Sequence, residues 1–425
     1  MLPQDTMTIL TACGVALLYL IGALHVLHAL MNVRTSQGTI AWIICLITLP
    51  YMAIPLYWIL GRNRFSGYVR ARRADDERLR NLAAGVRGAL QVFEVKEQGS
   101  FSRATEKLGG LPPVRGNELR LLVNGDSTFT SLFKSIESAR SSIVVNFFIV
   151  KNDELGTRFR DALIEKARGG VQVLFLFDEI GSNKLPNSYL EEMHAAGVQC
   201  RSFGSNRYWW SRLQVNFRNH RKIVVVDGQV AYLGGLNIGN EYLEGHQRLG
   251  LWRDTHIRID GPAALAAQLV FLEDWYWATD DVPELETVPH AREADQDALI
   301  LPTGPADPQD SWQLFVVEAA NMARERLWIA SPYFVPDFGV LAALQAAALR
   351  GVDVRILLPH KPDHLLVYLS SFSFYEQTLP LGVKLFRYEP GFLHQKVVLT
   401  DRHAAVGSAN LDNRSVRLNF EITAF

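Results

Sequence analysis

From about Glu118 onward the chain repeats itself once, and this duplication limits the possible fold more than any other feature. Short apolar, β-branched runs alternate with amphipathic stretches, the mark of an α/β layer fold. Residues 142–150 (SIVVNFFIV) and 171–177 (VQVLFLF) read as buried strands. Residues 154–168 and 188–196 read as helices, stopped at Gly169-Gly170 and Gly197. The second half keeps the order: residues 327–335 (LWIASPYFV) answer the first strand, 350–354 answer 169–173, and 381–383 answer 196–198. A polar, proline-dotted stretch, 280–308, joins the halves. Two copies are too few for a solenoid, so the expectation is an α/β body of two pseudo-symmetric modules sharing an interface.

Each copy ends in the same local pattern. The first has His220-Arg221-Lys222, Asp227 five residues past the lysine, then Gly234-Gly235-Leu236-Asn237. The second has His394-Gln395-Lys396, Asp401 again five past the lysine, then Gly407-Ser408-Ala409-Asn410. Two chance matches at equivalent places have a probability on the order of 10⁻⁴. Side chains two apart on an extended strand share a face, so each histidine points with its lysine into a common space. A phosphate suits that space. Lysine supplies positive charge and three donors, the asparagine amide and the small-residue turn at Ser408 add others, and imidazole supplies a nucleophile or acid near neutral pH. With two histidines, one attacks phosphorus while the other protonates the leaving alkoxide and then deprotonates the incoming alcohol.

Each imidazole also needs a group that fixes its tautomer. Asp254 and Glu421 are the candidates, following their histidines by comparable distances in the two copies. Asp227 and Asp401 complete the motifs; bonding to backbone or a neighbouring cation is favoured for them over proton transfer. No His-Glu-x-x-His, Cys-x-x-Cys or Asp-rich cluster occurs, so neither a metal nor another cofactor is demanded. Histidines 194, 246, 256, 290, 360, 364 and 403 share no spacing and read as surface or packing. Trp275-Tyr276-Trp277 reads as core.

Charge and hydropathy set the surroundings. Lys and Arg number 43 against 44 Asp and Glu, a net charge of −1, which gives no field to gather nucleic acid. Cys13, Cys45 and Cys200 are too few for a disulfide framework. Between Asp5 and Arg34 there is no charged side chain, and residues 9–30 are apolar for long enough to cross a bilayer. Residues 39–60 form a second uncharged run, so the two predict an antiparallel transmembrane hairpin, with Pro50 and Pro55 tolerated as they are in lipid. His25 and His28 fall near its loop and read as interfacial. Arg62, Arg64, Arg70, Arg72 and Arg73 crowd the exit of the second run, against Arg34 alone in the loop. That bias puts the body on the cytoplasmic side of a multi-pass membrane protein and draws anionic lipid. The predicted division is 1–61 hairpin, 62–117 basic juxtamembrane linker, 118–290 first module and 291–425 second module.

Paired HxKxxxxD elements in a duplicated α/β body resemble the phospholipase D superfamily. The stretches at 34–42, 234–242, 408–415 and 419–422, with the hairpin, are similar to bacterial cardiolipin synthases in particular. The resemblance implies two phospholipase D-like modules sharing one active site, and a reaction that joins two phosphatidylglycerols and releases glycerol. It implies that His220 is the nucleophile and His394 the general acid/base, an order the pseudo-symmetry leaves reversible. Lys222, Lys396, Asn237 and Asn410 would bind the phosphoryl oxygens, and Asp254 and Glu421 would orient the histidines. Such synthases run on past the Asn-Phe-Glu-Ile element, so a second module ending at Phe425 is expected to leave a sheet edge uncovered. Water as acceptor would make the same residues a hydrolase. A nuclease would need a basic aromatic groove, for which Arg201, Arg207, Tyr208, Trp209, Trp210 and Arg212 offer a short stretch that suits a lipid interface equally. A non-enzymatic scaffold would have no need of two intact motifs.

Overall fold

A computed structural model describes residues 3–32, 35–61, 77–204 and 216–425. The arginines at 34, 62, 64, 70, 72, 73, 207 and 212 and the aromatics Tyr208, Trp209 and Trp210 lie outside the described residues. Two compact units are present, and the first holds the N-terminal helices.

Helix α1 (Gln4–Asn32) is long and apolar enough to cross a bilayer. The second apolar run differs from the expected single span. It forms two shorter helices, α2 (Ser36–Thr48) and α3 (Pro50–Leu60), parted at Leu49. The cause is local: Pro50 has no amide hydrogen and its ring drives the preceding residue out of the helical region, leaving Leu49 at φ −136°, ψ 57°. Pro55 stays inside α3. Ala29, Leu46, Ala53 and Tyr57 form the shared core of the three helices, and His28 Nδ1 lies 2.8 Å from the Tyr57 hydroxyl.

The body opens with α4 (Glu77–Gln91) and α5 (Ser100–Gly109), inside the segment expected to be a linker. Phe101 and Leu108 lie seven apart on one face of α5, and Phe101 is buried against Phe315 and Phe425. These residues are therefore core, not tether.

Two sheets follow. The first holds β1 (Val114–Val123), β2 (Ser142–Phe147), β3 (Gln172–Asp178), β4 (Gln199–Phe203), β5 (Ile223–Val226), β6 (Val230–Gly234) and β7 (Thr255–Asp260). Their spatial order is β1-β7-β6-β5-β2-β3-β4, with the short strand Gln296–Ala298 added outside β1. The second holds β8 (Ile300–Thr303), β9 (Arg326–Ala330), β10 (Asp353–Pro359), β11 (Lys384–Tyr388), β12 (Val397–Leu399), β13 (Ala404–Gly407) and β14 (Asn419–Ala424), in the order β8-β14-β13-β12-β9-β10-β11. The two orders are the same with seven added to each label. In each, parallel strands joined by helices sit beside an antiparallel hairpin. β14 lies inside its sheet, between β8 and β13, so no edge is exposed along that strand.

Apolar side chains of Asn124–Ser138, Glu154–Arg168 and Asn187–Ala195 cover one face of the first sheet. The helix Pro262–Thr279 is buried along nearly its whole length, Trp275-Tyr276-Trp277 included, and contacts strands of both sheets. The helices Ser311–Met322 and Phe338–Leu349 join α5 over the second sheet. Two short parallel pairings tie the halves together: Arg218–Asn219 with the start of β14, and Trp252–Arg253 with Phe392–Leu393.

Candidate active site

Each His-x-Lys tripeptide lies just ahead of its strand, β5 or β12, where one half of the body crosses to the other. The His220 N–H donates to the Phe420 carbonyl and the His394 N–H to the Arg253 carbonyl, both at 2.9 Å. Those acceptors immediately precede Glu421 and Asp254, so the backbone register fixes which carboxylate meets which imidazole. His220 Nδ1 lies 2.8 Å from Glu421 Oε2, and His394 Nδ1 lies 2.6 Å from Asp254 Oδ2. Each carboxylate thus serves the histidine of the other copy. A carboxylate at Nδ1 favours the Nδ1–H tautomer, which makes Nε2 the basic nitrogen of each neutral ring.

The two lysines are buried and fold back on their own motifs, Lys222 Nζ donating to the His220 carbonyl at 2.6 Å and Lys396 Nζ to that of His394. Burial pulls the Lys222 pKa down to about 7, with Glu421 opposing and Lys396 assisting. Lys396 is lowered to about 8 by burial, against the pull of Asp254 and Glu421. Burial also lowers His220 to about 4, more than Glu421 can restore, and lowers His394. Burial alone would raise Asp254 and Glu421, but the facing lysines and histidines outweigh it and hold both below the ordinary carboxylate range. Each lysine is felt at the other half's histidine, so both motifs occupy one electrostatic site.

The remaining sequence candidates divide. Asn237 is buried, its Oδ1 accepting from Ile149 N–H and its amide donating to the Tyr242 hydroxyl. Asn410 is also buried, and its Oδ1, an acceptor, has no partner among the described residues. Ser408, expected to bind phosphate, is a correction: its hydroxyl donates to Glu421 Oε2 at 2.5 Å and accepts from Ile422 N–H. Asp227 and Asp401, placed with the catalytic set by their motif, lie at the far ends of β5 and β12 and do not meet the imidazoles. The four strand residues Ile223–Val226 lie between Lys222 and Asp227, five steps along the chain and roughly 16 Å at strand rise. The Asp227 carboxylate accepts from Arg140, Ser141 and Ser142 N–H, and Asp401 accepts from Arg324, Glu325 and Arg326 N–H. They pin the starts of β2 and β9.

Sequence reasoning missed the support around His220. Arg221 donates to Asp274 Oδ1 at 2.6 Å and to the Glu421 carbonyl, while Asn219 and Asn146 donate to Asp274 Oδ2. Ser415 and Asn419 donate to Glu421 Oε1. His256, read as packing, is buried beside the site and its Nδ1 accepts from Leu236 N–H. Aromatic rings close the histidines in: Phe148 is 5.0 Å from His220, and Trp252, Phe392 and Tyr242 are 5.1, 5.9 and 6.0 Å from His394.

Two sheets of one strand order, joined where a pair of His-x-Lys elements meets two crossed carboxylates, define an enzyme of the phospholipase D-like class. The family model described as "Cardiolipin synthase, PLD-like domain" matches residues 132–268 and 316–425, and the chain belongs to that family. It is 49% identical over 415 residues to Cardiolipin synthase A of Pseudomonas putida, covering 96% of this chain and 86% of that protein. It is 47% identical over 425 residues to Cardiolipin synthase A of Pseudomonas aeruginosa (strain LESB58), covering 98% and 86%. Among solved structures, phosphatidylserine synthase of Haemophilus influenzae Rd KW20 shares the fold, with a TM-score of 0.56 at 16% identity, covering 77% of this chain and 86% of that one.

Proposed function

We propose that the protein is a cardiolipin synthase, a phosphatidyltransferase that works through a phosphohistidine. The family match and the near-full-length relatives support the activity. The single observation that carries the chemistry is the crossed pair of histidine–carboxylate contacts beside two buried lysines. The donor and acceptor are both phosphatidylglycerol, an anionic lipid whose phosphodiester meets Lys222, Lys396, Asn237 and Asn410. That anion offsets the two ammonium charges and lifts both histidines toward the protonated state.

His220 is the nucleophile. Its low pKa keeps the ring neutral, and Glu421 holds it as the Nδ1–H tautomer with Nε2 free. Nε2 attacks phosphorus; the bond to the glycerol oxygen breaks, and that oxygen takes a proton from His394, whose cationic form Asp254 stabilises. His394 then removes the proton from the primary hydroxyl of a second phosphatidylglycerol. The alkoxide attacks phosphorus, the P–N bond breaks, and cardiolipin leaves with His220 restored. Lys222 and Lys396 balance charge on the phosphoryl oxygens throughout.

The shared strand order supports two pseudo-symmetric modules, 118–290 and 291–425, with one active site between them. The start of β1 at Val114 and the pairing of Gln296–Ala298 with β1 would widen the first module at both ends. The protein belongs in a bacterial inner membrane. Helix α1 and the broken α2–α3 pair support a multi-pass hairpin, and the excess of arginine after residue 61 supports a cytoplasmic body. Reconstituted protein given labelled phosphatidylglycerol is expected to yield cardiolipin and glycerol, with none from His220→Ala. Phosphatidic acid alone would make the protein a hydrolase, and no turnover by the wild type would overturn the reading.

A further inference from the structure

The walls of the site continue outward into exposed aliphatic residues. Ser182 Oγ donates to the carbonyl of Phe148, whose ring packs on His220, and two residues earlier Ile180 is exposed. Trp252 packs on His394, and the preceding Leu251 is 64% exposed. Asp363 accepts from the Tyr333 hydroxyl at 2.6 Å, and its charge is felt at Lys396. Two residues on begins the helix Leu365–Ser371, in which Leu365, Leu366 and Leu369 are 63%, 79% and 53% exposed, with Phe372 following. Positions 365, 366, 369 and 372 fall within one helical face. No Asp, Glu, Lys or Arg occurs from 365 to 375.

The helix is anchored along the edge of this face, at Phe372 and beyond it. Arg387 lies over the Tyr368, Phe372 and Tyr375 rings and donates to the Pro359 carbonyl, and Phe374 packs on the buried Phe334. Arg248 donates to the Pro362 and Asp363 carbonyls, which ties the loop that carries Leu251 to the start of the helix. An apolar, anchored face, tied through Arg248 to the loop that leads to Trp252, needs an apolar partner.

We propose that this rim, centred on the helix Leu365–Ser371, seats in the surface of the bilayer from which the substrate is drawn. This rests on the lipid phosphodiester reading above. A phosphate at the headgroup layer reaches the buried lysines only if the mouth of the site lies against that layer, and leucines and phenylalanine around the mouth are the side chains that enter it. The absence of charge on the face, and the tie of its first residues through Arg248 to the loop beside a site that takes a lipid, favour a bilayer over a second copy of the chain.

Two measurements on the full chain in vesicles test it. In a background with Cys13, Cys45 and Cys200 replaced, a fluorophore at Leu366→Cys is expected to be quenched by lipid carrying a nitroxide at headgroup depth. One at Leu349→Cys, equally exposed in the body but remote from these walls in sequence, is not. Equal quenching at the two positions, or self-quenching between labelled copies without lipid quenching, would overturn the proposal; this readout does not depend on turnover. Replacing Leu365, Leu366 and Leu369 with Ser is expected to slow turnover of vesicle phosphatidylglycerol at least about tenfold, while monomeric short-chain phosphatidylglycerol is turned over within about twofold of wild type. Loss with both substrates, or with neither, contradicts the rim. Failure of the wild type on both substrates, with the quenching intact, would instead count against the synthase reading alone.

Discussion

The half-site around His220 is held by a network of hydrogen bonds, whereas the half-site around His394 is held more by packing. Glu421 receives Ser408, Ser415 and Asn419 as well as His220, and Arg221 locks its backbone to Asp274. Among the described residues the Asp254 carboxylate receives the Thr255 N–H besides His394, and the residue matching Arg221 is Gln395, which meets Thr255 Oγ1 at 3.2 Å. Where the second copy has Ser408, the first has Gly235, and a Cβ there would sit 2.1 Å from Asp254 Oδ1. The two half-sites therefore differ in how the carboxylate is fixed, by several donors at Glu421 and by close packing at Asp254.

The strongest way to break this comparison is to remove each ring. His220→Ala is expected to lose more than about 10⁴-fold in kcat, with no recovery on a phosphodiester that carries a nitrophenolate leaving group. His394→Ala is expected to lose about 10²–10⁴-fold and to recover substantially on that substrate, because nitrophenolate needs no proton. Equal recovery by both variants would erase the distinction.

A smaller effect should separate the two carboxylate environments. Ser408→Ala removes one of several donors to Glu421 and is expected to cost about five- to tenfold in kcat, near the worth of one charge-assisted hydrogen bond. Gly235→Ser, which copies the second half into the first, must displace Asp254 and is expected to cost more than Ser408→Ala. The reverse ranking would mean that Asp254 is not fixed by close packing.

The pH dependence follows from the lysines and His220. His220 stays neutral down to about 4, so kcat/KM should hold on the acid side to near pH 5. Above about 7 and then about 8 the lysines lose their charge in the free enzyme, and kcat/KM should fall as pH rises through that range. The need for a proton on His394 acts in the same direction. In kcat the alkaline fall should move upward, since bound phosphate favours both ammonium groups.

The smallest effect on chemistry is expected from the motif-end acids. Asp227→Asn and Asp401→Asn should lower Tm, by about 1–3 kcal/mol of stability each, with kcat/KM within about twofold. Burial raises these two carboxyls, but their backbone N–H donors outweigh it and the net shift is downward. The stability they add is therefore present above the unfolded value of about 3.9 and is lost as pH falls through the lower folded value.

The repeated motifs were legible because they are local: His, Lys and Asp at fixed offsets, with a Gly-rich turn behind. The buried strands and the helix Glu154–Arg168 were legible from periodicity and a glycine stop. The crossing of the carboxylates was not, since it depends on the Arg218–Asn219 and Trp252–Arg253 pairings between distant segments. Ser408 was misread because spacing cannot tell a hydroxyl that faces a ligand from one that faces a carboxylate. Asp274 left a signal that went unread, a lone buried acid in an apolar helix beside Trp275, which requires a buried cation such as Arg221. At α5 the short amphipathic pattern was hidden by the charges around it, and at Leu49 the proline signal was discounted for a lipid setting.

The most direct test of the central claim is to find which ring carries the phosphoryl group. His394→Ala, given the activated phosphodiester with a labelled phosphatidyl moiety and quenched under alkaline conditions, should yield one labelled peptide containing His220, with phosphorus on Nε2. Label on His394 in the wild type under the same quench, or a labelled peptide that persists in His220→Ala, would contradict it.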